Sequence, residues 1–234
     1  MLTPEPRSYP FWTWSDLAML IGLALPSLIA GALLAQVLGL ISPFLKGLRV
    51  WTSMFFFYLA WFGCLYLLIK LRYGQPFWTS LGWVLPRRRL ILTILLGPLL
   101  AMSTGILGTL LHTPQRELPL LKLIQGPVGL TLFGIFSVIL GPVTEELAFR
   151  GFLMPLAIRS MGVAAGIIVS SLPFALLHGP EYAWTWQYVA LVGFAGAMFG
   201  CVRYYTGSTL ASAAMHSTYN ATFFAALVYS GKVL

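Results

Sequence analysis

Apolar residues in this chain fall in long unbroken runs rather than at a period of 3.6. Leu17–Ile41, Val50–Ile69, Leu90–Leu111 and Leu210–Tyr229 each reach the roughly 20 residues needed to cross a bilayer's hydrocarbon core. Another run opens at Val128, is interrupted by Glu145, Glu146 and Arg150, and resumes to Ile158. Val163–Leu177 and Tyr188–Val202 are 15 residues each and span only with their flanks. Those flanks hold Tyr182, Trp184, Trp186 and Tyr188, amphipathic aromatics of the kind that settle at headgroup level. The pattern predicts an all-α, polytopic helical bundle of seven to eight transmembrane helices. The runs give seven, and Leu118–Gln125 is an interfacial piece or part of an eighth. Leu17–Ile29 followed by Ala30, Gly31 and Ala32 has the outline of a signal peptide. However, only Arg7 supplies positive charge before it and the apolar run continues to Ile41, so it reads as a retained span.

Composition agrees with the pattern. Of 234 residues, 59% are hydrophobic and 9% charged, with a mean hydropathy of +0.86. A water-soluble domain carries about 25% charged residues, so this chain belongs in a membrane, the plasma membrane if the source is prokaryotic. No repeat, low-complexity tract or boundary divides residues 1–234, which read as one integral membrane domain. The net charge of +8 is not a nucleic-acid footprint, because no basic stripe is interleaved with polar surface. The basic residues sit between apolar runs instead. Lys70, Arg72, Arg87, Arg88 and Arg89 mark the loop after the second span as cytoplasmic, which puts the N-terminus inside; seven spans then place the C-terminus outside, eight inside. Cys64 and Cys201 lie within apolar runs as packing residues.

Ionisable groups inside a bilayer cost several kcal/mol unless paired or facing water, so each is a functional candidate. Glu145, Glu146, Arg150, His178, His216 and Asn220 are the informative positions. A helix hairpin turning at Met161 and Gly162 places Glu145 about 16 residues before the turn and His178 about 16 after it. Equal distance means equal depth, so the two side chains can meet, unless Pro155 shifts the register. Glu146 and Arg150 are four apart in the order that favours an ion pair, which reads as structural. Glu145, turned about 100° away, is free for chemistry. His216 and Asn220 share a face of the last span, and Phe174 shares one with His178. Asp16, Glu117 and Glu181 read as loop or span-end charges, and His112 as interfacial. A single buried histidine is more often a packing residue than a catalyst, and an amide such as Asn220 serves as interhelical glue. The coincidence of an acid, two histidines and an amide in apolar helices is what favours chemistry.

Three segments also resemble a known family. Glu145-Glu146-Leu-Ala-Phe-Arg150 is similar to the EExxxR motif, Phe174-Ala-Leu-Leu-His178 to the FxxxH motif, and His216-Ser-Thr-Tyr-Asn220 to the HxxxN motif of the CPBP (ABI) family. That family contains the type II CAAX prenyl endopeptidases and bacteriocin-processing or immunity proteins. The resemblance covers a core from about 142 to 220 and leaves the first three spans unaccounted for. It implies a metal-independent intramembrane endopeptidase without a cofactor, acting on a membrane-associated peptide or protein. Glu145 and His178 would activate a water, His216 and Asn220 would stabilise the oxyanion, and Glu146, Arg150 and Phe174 would support them. Three alternatives stay open. Glu145, His178 and His216 are acceptable zinc ligands, although no HExxH is present. A non-proteolytic scaffold or bacteriocin-immunity-type protein would use the same cavity for binding. A proton-coupled transporter would use the buried Glu and His, although no repeat symmetry supports it.

Overall fold

The computed structural model describes residues 8–86, 89–114, 119–124 and 126–231. Arg7, Arg87, Arg88, Arg116, Glu117, Leu118, Gln125 and Lys232, used in the sequence reading, lie outside the described residues. The apolar runs become helices α1 (Trp14–Ile41), α2 (Arg49–Arg72), α3 (Leu90–Leu110), α4 (Gly126–Met161), α5 (Val163–Leu177), α6 (Trp186–Thr206) and α7 (Thr209–Tyr229). Among the described residues there is no strand. Five helices, α1, α2, α3, α4 and α6, are long and apolar enough to cross a membrane. α7 matches α3 in length, but Ser212, His216 and Asn220 dilute its apolar character and it is not among the five. α5, at 15 residues, reaches only about 22 Å at 1.5 Å per residue. The described part of 118–125 is a short 3-10 turn, Pro119–Leu123, and not an additional span.

α4 is the helix on which the site is built, and its two prolines shape it. A proline within a helix lacks an N–H and crowds the carbonyl of the preceding turn. Both Pro142 and Pro155 are preceded by widened π-helical turns, Phe136–Leu140 and Leu147–Leu153. These relieve the crowding without breaking the helix. Pro155 therefore does not spoil the hairpin register. At the α4–α5 turn Gly162 takes φ +82 and its N–H bonds the Ile158 carbonyl at 2.9 Å. The α6–α7 turn uses Gly207 at φ +67, then Ser208 as N-cap, its Oγ accepting the Ala211 N–H at 3.0 Å.

One end of the bundle is closed. The strap Tyr9–Thr13 crosses it, and Trp12 is fully buried there, its ring stacked on Phe152 at 5.0 Å and its Nε1 donating to the Phe152 carbonyl at 3.0 Å. Arg159 donates to the carbonyls of Pro10 and Trp12. Beneath the strap Leu20, Leu65, Ile69, Leu81, Leu147 and Leu156 form the main apolar cluster. Asp16 has a structural task at this end. Its carboxylate accepts from the Thr13 N–H at 2.8 Å and the Tyr73 hydroxyl at 2.5 Å, and pairs with Arg72 at 3.3 Å. The outward residues of α1, among them Ile21, Leu25, Ile29 and Leu33, are exposed apolar surface suited to lipid.

α3 and α7 approach so closely that a Cβ on Gly97 would stand 2.5 Å from the Met215 carbonyl oxygen and 2.7 Å from the Tyr219 nitrogen. Backbone cannot yield as a side-chain tip can. Gly97→Ala is expected to cost about 1–3 kcal/mol by overpacking and to lower the detergent-solubilised melting temperature. Gly22→Ala, where a Cβ meets nothing within 4 Å, should leave that temperature unchanged or raise it slightly.

Candidate active site

The site is best assembled from its most buried member. Glu146 and Arg150 are both fully inaccessible and pair across one helical turn, Nη1 to Oε1 at 2.9 Å. A lone carboxylate at this depth would be prohibitively costly, so each oxygen is supplied with donors. His216 Nδ1 lies 3.1 Å from Oε1, and the Ser212 hydroxyl donates to Oε2 at 2.5 Å. Arg150 donates through Nη2 to the Gly196 carbonyl at 2.7 Å, and its guanidinium sits 4.4 Å from the Phe174 ring centroid. Gly196 is required for this approach, because a Cβ there would come within 3.0 Å of Arg150 Nη2 and 2.9 Å of Phe174. The ion pair thus ties α4 to α6 and α7, as its i, i+4 spacing suggested.

Glu145, one residue earlier, points the other way and is 24% exposed. Its Oε2 stands 4.0 Å from His178 Nε2 and 3.9 Å from His216 Nε2. The equal-depth argument for Glu145 and His178 is borne out by that contact. Each imidazole is oriented by its other nitrogen. His178 Nδ1 is 2.7 Å from the Phe174 carbonyl, which can only accept, so Nδ1 carries the proton and the Nε2 lone pair of the neutral ring faces Glu145. His216 Nδ1 similarly donates to the Glu146 carboxylate. The rings are packed as well: Phe174 lies 4.6 Å from His178 and 5.8 Å from His216, and Phe199 stacks on His216 at 4.4 Å.

Asn220 does not touch His216. Its Nδ2 donates to the Ser137 carbonyl at 2.7 Å, within the widened turn Phe136–Leu140. That bond identifies the nitrogen and leaves a second N–H on it. Gly141 keeps the turn compact, since a Cβ there would sit 2.9 Å from the Phe136 carbonyl oxygen.

Glu145, Phe174, His178, His216 and Asn220 all line one cavity of about 750 Å³. Glu146 and Arg150 lie behind its wall. Two residues read from sequence as peripheral also line it. These are His112, in a left-handed conformation at φ 50, and Glu181, in the 3-10 turn after His178. Burial pushes the Glu181 carboxyl above its ordinary range; His178 pulls it back and Glu145 pushes it further up. The first three spans, silent in motif terms, contribute Trp51, Met54 and Tyr58 from α2, and Thr104, Gly105 and Gly108 from α3. Among the described residues, no group of three or more His, Cys, Asp or Glu is placed to hold a metal ion.

Loss of one partner from the buried pair should be severe. Arg150→Met leaves Glu146 uncompensated and is expected to cost about 3–5 kcal/mol, read as a fall in melting temperature. The double variant Glu146→Gln/Arg150→Met should recover much of that loss. Equal stability of Arg150→Met and wild type would show that the pair does not hold the site.

The type II CAAX prenyl endopeptidase Rce1-like family model matches residues 127–222. That segment holds α4 through most of α7 and contains every motif residue described above. No curated protein and no solved structure matches the chain. Over residues 127–222, less than half of its length, the chain is similar to the Rce1-like type II CAAX prenyl endopeptidases, a family of membrane proteases.

Proposed function

We propose that this protein is an intramembrane endopeptidase that hydrolyses a peptide bond of a membrane-associated polypeptide with a water activated by Glu145 and His178. The observation that carries the reading is the carboxylate of Glu145 facing the Nε2 atoms of two histidines at about 4 Å inside an apolar cavity. A water between Glu145 Oε2 and His178 Nε2 is within hydrogen-bond reach of both. It gives up a proton as its oxygen attacks the substrate carbonyl. The proton passes to the leaving nitrogen as the tetrahedral intermediate collapses, so the carboxyl–imidazole pair is returned to its starting state.

The negative charge on the attacked oxygen needs donors. Asn220 has one N–H left after bonding Ser137 O, and its helix face puts it beside His216. His216 is held by its Nδ1 contact to Glu146 so that Nε2 faces the same space. Oxyanion donors of this kind contribute roughly 3 kcal/mol each in a dry site. Glu146 and Arg150 act through His216 and Phe174 rather than on substrate.

With purified protein in liposomes and a fluorogenic membrane peptide, Glu145→Gln and His178→Ala should each lower kcat/KM by about 10⁴-fold while the melting temperature stays near wild type. Asn220→Ala should lower kcat by about 10²–10³-fold with KM little changed. Wild-type rates in Glu145→Gln would end the proposal. Tight peptide binding by wild type without any cleavage would transfer the reading to a binding scaffold.

A further inference from the structure

We infer that Glu181 selects a cationic side chain of the substrate, a lysine or arginine within two residues of the scissile bond. The term substrate rests on the peptidase reading; the charge preference of the cavity does not.

The chain has 14 Lys and Arg against 6 Asp and Glu, yet inside the cavity that balance is reversed. Its walls carry Glu145 and Glu181, and among the described residues no Lys or Arg lines it. Arg150 is committed to its ion pair behind the wall. Lys122 does not offset the acids either. Its neighbours Leu121 and Leu123 line the cavity, whereas Lys122 lines a separate cavity of about 350 Å³ beside Phe44. A surplus of negative charge between apolar walls attracts cations and repels carboxylates more strongly than the same charge on a hydrated surface.

Of the acids in the described residues, Glu181 is the one with nothing to hold. Asp16 has Thr13, Tyr73 and Arg72, and Glu146 has Arg150, Ser212 and His216. Glu145 faces two imidazoles. The Glu181 carboxylate accepts no hydrogen bond and makes no salt bridge among the described residues. Its electrostatic neighbours are His178, Glu145 and Tyr58, all of which line the cavity.

The turn that carries Glu181 sets its distance from the reacting groups. The Glu181 N–H bonds the His178 carbonyl at 3.1 Å, so a single 3-10 turn separates their Cα atoms by about 6 Å. That turn is braced: the Trp184 N–H bonds the Gly179 carbonyl at 2.8 Å, and Tyr182 stacks on Tyr188 at 5.1 Å. An extended peptide advances about 3.4 Å per residue. With its scissile carbonyl between Glu145 and His178, a side chain one or two residues away therefore comes within reach of Glu181. Lys and Arg suit that place, because the aliphatic stem lies along apolar wall while the charge meets the carboxylate.

Peptides of one sequence, carrying Lys, Gln or Glu at each of the two positions on either side of the scissile bond, test this. Liposomes of zwitterionic lipid keep membrane charge from attracting the Lys peptides. At one position wild type should cleave the Lys peptide with kcat/KM about 10- to 100-fold above the Glu peptide. Glu181→Gln should abolish that preference and Glu181→Lys should invert it. The inference is overturned by a wild-type ratio near one at every position, by a ratio that survives Glu181→Gln, or by an equal loss of kcat on all peptides in that variant. Should Glu181→Lys fail to accumulate, Glu181→Gln decides alone. The same ratios are read as Kd from fluorescence anisotropy of peptides whose scissile amide is N-methylated. Binding that favours Lys and loses that preference in Glu181→Gln, with no peptide cleaved by wild type, would uphold the cation site and end the peptidase reading. Cleavage without charge preference would do the opposite.

Discussion

The structure depends on a charged pair that has no access to water. Burying Glu146 and Arg150 inside a bilayer protein is tolerable only if their charges cancel and their remaining hydrogen-bonding atoms are occupied. Satisfying them draws in Ser212 and His216 from α7, the Gly196 carbonyl from α6 and the Phe174 ring from α5. Four helices are therefore fixed against one another by the needs of two side chains. The pair is electrically neutral and lies behind the wall, whereas Glu145 faces the cavity. The pair also fixes His216, whose Nδ1 is committed to Glu146 and whose Nε2 is thereby aimed at Glu145.

Backbone irregularity completes the arrangement. The stretch Gly141–Glu146 lies between two widened turns, each followed by a proline two residues after its end. The first of these turns supplies the Ser137 carbonyl that orients Asn220. A regular helix through Pro142 would have crowded that region, and the wider turn converts a steric conflict into an acceptor for the site. The small residues follow the same logic: Gly97, Gly141 and Gly196 stand where a methyl group would strike backbone or the Arg150–Phe174 contact.

Much of this was legible in the sequence. Apolar run lengths gave the helices to within a few residues, and counting from Gly162 in both directions paired Glu145 with His178. The i, i+4 spacing separated the ion-paired acid, Glu146, from Glu145, which faces the cavity. Other features leave no local signal. Glu181 and His112 read as peripheral because only the folded loops bring them to the cavity wall. Tyr58 and Gly108 line it from helices without motifs, since a wall position demands only a side chain of suitable size. Asn220 shares a helix face with His216, yet its partner is the Ser137 carbonyl, set free by a turn that periodicity alone does not reveal. The five-helix tally of clear spans, against seven apolar runs, has a similar origin: α7 carries the site's polar groups and α5 ends at His178.

The central claim is that Glu145 and His178 act as one unit on a single water. A double-mutant cycle on kcat/KM tests it most directly, using Glu145→Gln, His178→Ala and the double variant in the same liposomes. Groups that share one step are strongly non-additive, so the double variant should lose no more activity than the worse single one. Losses that multiply, as for independent residues, would contradict the account.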